Sequence, residues 1–130
     1  MTLPPPILNE LRAALGNDAV AADPATLTAY AYDGTWAEQR PAVVLHPTAT
    51  AQVSAVLRVA DRERIPVVPR GAATGLAGGA VPIEGSICLN LARMNRILSI
   101  SAPDSIVITQ PGVITAALQK AVDYADLEKK

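Results

Sequence analysis

Apolar residues recur at helical spacing in four stretches and gather into short β-branched runs in five others. Ile7, Leu8, Leu11 and Leu15 mark a first helix. Pro4, Pro5 and Pro6 stand at its entrance, where proline is tolerated, and Gly16 fits its stop. Asp23 followed by Pro24 makes an N-cap and first-turn pair, and Leu27, Tyr30 and Ala31 continue that short helix. "YDGTWAEQRP" reads as a loop, opened by Asp33-Gly34 and closed by Pro41. "AVVLHP" is a strand ended by Pro47, and Thr48 is the expected cap of the next helix. Val53, Val56, Leu57 and Ala60 give that helix one apolar face, and Asp61, Arg62, Glu63 and Arg64 form its solvated end. "IPVVP", "SICLNL" and "RILSI" follow as second, third and fourth strands. Pro103-Asp104 turns the chain into a fifth, "SIVITQ", which Pro111-Gly112 breaks. Leu118, Ala121, Val122 and Ala125 make the inner face of a last helix.

The strand–helix–strand pattern over 43–69 predicts a parallel pair with a right-handed crossover. The strands joined by the tight Pro103-Asp104 turn are expected to be antiparallel. The fold class is therefore α+β, a small mixed sheet flanked by helices. No internal repeat or low-complexity tract interrupts it.

Composition narrows the picture. Half of the 130 residues are apolar, yet there is no Phe, one Trp and three Tyr. A core of Ala, Val, Leu and Ile buries less area per side chain than an aromatic one. Such a core suits a small alanine-rich domain or a piece that packs against a second lobe. The net charge of −1 supplies no basic field for nucleic acid or anionic lipid. A single cysteine, Cys88, excludes an internal disulfide and is no metal site. The start lacks a signal-peptide pattern, and no apolar run approaches the roughly 18 residues of a membrane helix. A cytoplasmic protein is the expectation.

The candidate chemistry sits in residues 66–79, "PVVPRGAATGLAGG". A phosphate loop of the G-x-x-x-x-G-K-[ST] kind is excluded, because the stretch has no lysine. The dinucleotide fingerprint G-x-G-x-x-G needs a helix directly after it. Here Gly71, Gly75, Gly78 and Gly79 have the wrong spacing, and "AVPIEGSICLNL" leads into a strand. Two readings remain. One is a tight loop with glycine at positive φ. The other is a nest of backbone N–H groups that binds an anion such as a pyrophosphate. In the second, Arg70 either adds charge or braces the loop, and the Thr74 hydroxyl adds a hydrogen bond.

The order of residues around this loop resembles a known family. "VVLHPTATAQVSAVLRVADRERIPVVPRGAATGLAGGAVP", then "GSICLNLARMNRIL" and "VITQPGV", are similar to the FAD-linked oxidases of the vanillyl-alcohol oxidase and p-cresol methylhydroxylase (PCMH) type. Within that family the chain looks most like the glycolate oxidase D subunit and the D-lactate dehydrogenases. The resemblance runs from about Tyr30 to Tyr124. It implies FAD as cofactor, with the pyrophosphate held by Arg70, Gly71, Ala72, Ala73, Thr74, Gly75 and Leu76, and with Gly78 and Gly79 completing the turn. It also places Pro111, Gly112 and Val113 near the flavin, and assigns Arg93, Met94 and Asn95 a supporting role. Many members have glycine where Ala73 stands. Alanine is costly there if φ is positive and free of cost if φ is negative.

The family continues into a second, larger FAD-binding lobe and a substrate-binding cap domain. The resemblance therefore implies a 1–40 helical segment and a 41–130 first lobe, with the second lobe and cap absent. The chain is then expected to be an FAD-binding lobe of a 2-hydroxy-acid oxidoreductase, acting on glycolate or D-lactate, with no catalytic residue of its own and inactive alone. The alternatives are a non-catalytic binding or assembly module completed by a partner chain, and a remnant of a split gene.

The remaining candidates are weaker. His46, the only histidine, lies between a strand and Pro47 and is expected to be structural. Cys88 reads as a small buried hydrophobe. Trp36 either packs beside a second lobe or covers a helix end. Asp33 and Glu38 are loop carboxylates of the usual solvated kind.

Overall fold

The computed structural model describes residues 2–127. Its main layer is built from runs without polar alternation. β2 (Val43–Leu45) and β4 (Ile87–Asn90) are buried at every position, as parallel strands covered on both faces must be. β3 (Val67–Arg70) runs parallel to β4, with Val67 opposite Ile87 and Arg70 opposite Asn90. β2 runs parallel to β4 on its other side. A two-residue strand, β1 (Val20–Ala21), adds an antiparallel edge that the sequence pattern did not reveal. The order is β1-β2-β4-β3. The strands of segment 43–69 are thus parallel as expected but are not neighbours, because β4 inserts between them. Pro69 is accommodated because β3 is an edge strand.

α1 (Pro5–Leu15) starts on its prolines and stops at Gly16, whose φ is 92°. α2 (Pro24–Ala29) is capped by Asp23, whose carboxylate accepts from the Thr26 amide at 2.9 Å. It ends at Ala29, so Tyr30 and Ala31 lie at and beyond its end rather than within it. α3 (Thr50–Glu63) has Ala49 and not Thr48 at its N-cap. Gln52 reaches back instead, its Oε1 accepting from the Thr48 amide at 2.8 Å and from the Thr48 hydroxyl at 3.2 Å. Val56, Val59 and Ala60 form the buried stripe of α3, and Leu57 falls on its solvent flank.

Because successive strand residues face opposite sides, Val43 and Leu45 meet one layer and Val44 the other. On the first side, Leu3, Leu11 and Leu15 pack with Val56, Val59, Ala60, Ile87 and Leu89. On the second, Leu27 covers Val44 and Cys88. Burial pushes the Cys88 thiol up to about 11, which keeps it protonated and unreactive at neutral pH.

A separate hairpin pairs β5 (Ile97–Ser101) antiparallel with β6 (Ile106–Thr109). α4 (Thr115–Leu127) packs on β5, and Leu118, Ala121, Val122 and Ala125 are the more sheltered positions along it. The other side of the hairpin is bare, with Leu98, Ile106 and Ile108 each 54% exposed. No helix among the described residues is long and apolar enough to cross a membrane. Residues 128–130, the end of the expected first lobe, lie outside the described residues.

Candidate functional site

β3 delivers the chain into the glycine loop, and β4 receives it with no helix between. Among the described residues, no amide of 71–79 donates a hydrogen bond to a backbone carbonyl. A Cβ added at Gly71, Gly75, Gly78 or Gly79 would meet no atom within 4 Å. The loop therefore presents free donors with open space in front of its glycines. Gly78 also has φ 74°, the left-handed conformation that favours glycine.

Arg70 and Thr74 carry the side chains expected to help. Arg70 Nη1 donates to the carbonyls of Tyr32 at 2.7 Å and Tyr30 at 3.3 Å. Of the two roles left open for it, bracing is the one its geometry shows. Thr74 and Leu76 are exposed, and Ala73 is half-buried. Ala73 has φ 55°, which settles the question of its conformation: this alanine sits in the left-handed region. Ala73→Gly is accordingly expected to stabilise the fold by roughly 0.5–1 kcal/mol, the left-handed penalty less the added entropy of an unfolded glycine. Urea unfolding reads this directly, and a lower midpoint for the variant would contradict it.

Loop and strand end meet in one cavity of about 570 Å³. Gly71 and Ala72 form one side, and Pro111, Gly112 and Val113 another. Ala73, Thr74, Gly75, Leu76, Gly78 and Gly79 do not line it. Sequence reasoning had given Asn95 only a supporting part, yet it faces the cavity together with Ile97, Ile114 and Thr115. The last two open α4, so the positive end of its dipole borders the same space. The walls are largely apolar, and Asn95 and Thr115 supply the polar side chains.

Gly112 locks this wall. Its amide donates to the Met94 carbonyl at 2.7 Å. A Cβ on Gly112 would lie 2.4 Å from the Leu91 oxygen and 2.8 Å from those of Ala92 and Met94. The 91–96 turn in turn holds the loop, because the Leu91 amide donates to the Arg70 carbonyl at 2.9 Å. The expected support by Arg93, Met94 and Asn95 thus runs mainly through the buried Met94.

His46 is half-buried and meets the Tyr30 ring edge-on at 5.8 Å between centroids. Burial, and secondarily Arg93, hold its pKa below 6.5, so it stands as a neutral packed ring outside the cavity. Trp36 is fully exposed and covers no helix end. Among the described residues, no group of three or more His, Cys, Asp or Glu is placed to hold a metal ion.

A sequence profile described as an FAD binding domain matches residues 41–127. The chain belongs to this FAD binding domain family. Glycolate oxidase subunit GlcD of Bacillus subtilis (strain 168) is 40% identical over 99 residues, which are 75% of this chain and 21% of that protein. A D-lactate dehydrogenase of Anaerostipes hadrus is 40% identical over 79 residues, 61% of this chain and 17% of that protein. The crystal structure of p-cresol methylhydroxylase with substrate bound matches with a TM-score of 0.79 and 25% identity, over 94% of this chain and 25% of that one. The chain thus spans about a sixth to a quarter of the length of these relatives. The α+β fold of the PCMH-type FAD-binding domain is the one observed, and FAD is the cofactor of the family. The residues present fit that cofactor: the loop's amides have no backbone partner, a Cβ at its glycines would meet open space, and an apolar cavity adjoins its start at Gly71 and Ala72.

Proposed function

We propose that residues 41–130 form the first lobe of the FAD-binding domain of a 2-hydroxy-acid oxidoreductase acting on glycolate or D-lactate, with residues 1–40 as a helical segment packed on it. The observation that carries this is the run of unpaired amides at 71–79 beside the apolar cavity. The amides of Gly71, Ala72, Ala73, Thr74, Gly75 and Leu76 take the pyrophosphate, with Gly78 and Gly79 shaping the turn and Arg70 bracing its start. Pro111, Gly112 and Val113 border the flavin. Backbone donors suit this task because they are fixed in direction and bring no side chain between chain and ligand. The flavin supplies hydride transfer when bound, and the protein supplies binding and orientation. This chain contributes no acid, base or substrate-orienting residue, so it is inactive alone.

A flavin titration of the purified chain is the direct test. Saturable, weak FAD binding without reduction by glycolate or D-lactate is the expected result. No saturable binding would remove the reading, and substrate-driven bleaching of the flavin would overturn the assigned inactivity.

The bare face of β5–β6 favours a second reading. Two-stranded hairpins are marginal without further strands or packing, and here one face is uncovered. In this reading the chain is a non-catalytic binding or assembly module whose hairpin is covered by a partner chain, such as a second lobe. Light scattering with calorimetry separates the two: a stable monomer with one cooperative melt argues against an obligate partner.

A further inference from the structure

The segment between α2 and β2 touches the glycine loop at two points. At the loop's start, the Arg70 guanidinium grips the carbonyls of Tyr30 and Tyr32 and lies 5.0 Å from the centre of the Tyr30 ring. The Tyr30 hydroxyl accepts from Asn90 Nδ2 at 2.9 Å, and Asn90 is buried opposite Arg70 in the β3–β4 ladder. At the loop's middle, Gly34 fits closely beneath it. A Cβ there would lie 3.0 Å from the Gly75 oxygen, 3.1 Å from Leu76 Cδ2 and 3.5 Å from the Thr74 oxygen. Within the segment itself, Asp33 Oδ1 accepts from the Thr35 amide at 2.7 Å and the Thr35 hydroxyl at 2.6 Å. Its Oδ2 is shut off from solvent and has no hydrogen-bond partner. The Asp33 carboxyl is held below its usual range, first by the Thr35 hydroxyl and amide, and further by the nearby Ala80 amide and the Arg70 charge.

These contacts solve a physical problem. A loop whose amides make no internal hydrogen bond has nothing of its own to offset the entropy of holding one shape. Yet a ligand gains affinity when that shape is set beforehand. Anchoring through Arg70 and close packing against 74–76 uses none of the loop's amides.

We propose that residues 30–35 are the mould that sets the glycine loop in its ligand-ready shape, with Arg70, Tyr30, Asn90 and Gly34 as positioning residues. Their role toward a pyrophosphate rests on the FAD reading above, whereas the mould itself does not. Arg70 belongs to the brace and offsets Asp33, so the anion is met by backbone donors.

Amide ¹⁵N relaxation of the full chain tests the mould without any ligand. In the wild type, order parameters at 71–80 are expected to match the rigid sheet, about 0.85, although the amides are unpaired. Gly34→Val forces the loop off its seat, and Arg70→Lys loses the Nη1 that bonds both carbonyls together with the guanidinium beside the Tyr30 ring. Each is expected to lower 71–80 below about 0.6 while β2 and β4 stay rigid; a role confined to overall stability would move all of these together. Arg70→Lys carries the test if Gly34→Val does not fold. A loop already mobile in the wild type, or one left rigid by both variants, overturns the proposal. Titration with FAD and with inorganic pyrophosphate then separates the two claims. A rigid wild-type loop that binds neither ligand sinks the FAD reading and leaves the mould standing. Affinity about tenfold weaker in the unlocked variants supports positioning, and unchanged affinity in them refutes it.

Discussion

Gly112→Ala is expected to detach the β5–β6 hairpin and α4 from the four-stranded layer while leaving that layer folded. The methyl group has nowhere to go. It would stand 2.4 Å from one carbonyl oxygen and 2.8 Å from two others, and all three belong to the backbone of a single turn that cannot rotate aside as a side chain does. Relief requires separating the 110–113 strand end from the 91–96 turn. That breaks the hydrogen bond from the Gly112 amide to the Met94 carbonyl and endangers the hydrogen bonds joining Gln110 and Arg96. Overpacking of this severity costs about 3 kcal/mol or more. Because the hairpin packs chiefly on α4, the loss is local before it is global. Hydrogen exchange should show protection falling at β5, β6 and α4 and holding at β2 and β4. Any cooperative melt should shift down by roughly 10 °C. Unchanged protection in the hairpin would show that Gly112 is not the lock. The same variant deforms the wall that carries Pro111 and Val113, so FAD binding should weaken with it.

The glycine loop was legible because its exclusions are local. The missing lysine and the proline before the next strand are visible in the chain itself, and they leave a strand-to-strand loop that is either a tight turn or an anion nest. The strand order was not legible. "SICLNL" has the unbroken apolar character of a central strand, but nothing nearby says that it enters between β2 and β3 rather than beside them. Arg70 was ambiguous for the same reason. A cation next to a glycine loop looks like an anion ligand, and its true partners, the carbonyls of Tyr30 and Tyr32, lie about forty residues away in sequence and meet it only once the sheet is assembled. Thr48 missed the cap by one residue: Ala49 takes that place, and the Thr48 amide and hydroxyl are instead bonded by Gln52 reaching back from inside the helix. The P-G-V string was found by resemblance alone. Its physical reason, a glycine enclosed by three carbonyl oxygens, exists only in three dimensions.

Gly71→Val is expected to do the reverse of Gly112→Ala: abolish FAD binding and leave the fold intact. Both glycines line the same cavity, but around Gly71 a Cβ meets no atom within 4 Å. Its φ is outside the left-handed region, so a side chain adds no backbone strain there. Surface changes without lost contacts or strain alter stability by about 0.5 kcal/mol or less. The added isopropyl group would occupy the space through which a pyrophosphate reaches the first loop amides. An anion held off by even one side-chain layer loses the short, aligned hydrogen bonds that make the nest worth having. Two such charge-assisted bonds are worth roughly 3 kcal/mol together, which corresponds to a loss of about a hundredfold in affinity. Flavin titration beside thermal unfolding on the same preparation reads both quantities. Retained affinity would mean that the ligand does not approach the loop at Gly71. A large fall in stability would mean that the open space at Gly71 is needed by the protein itself, and the glycines would then serve the turn and not the ligand.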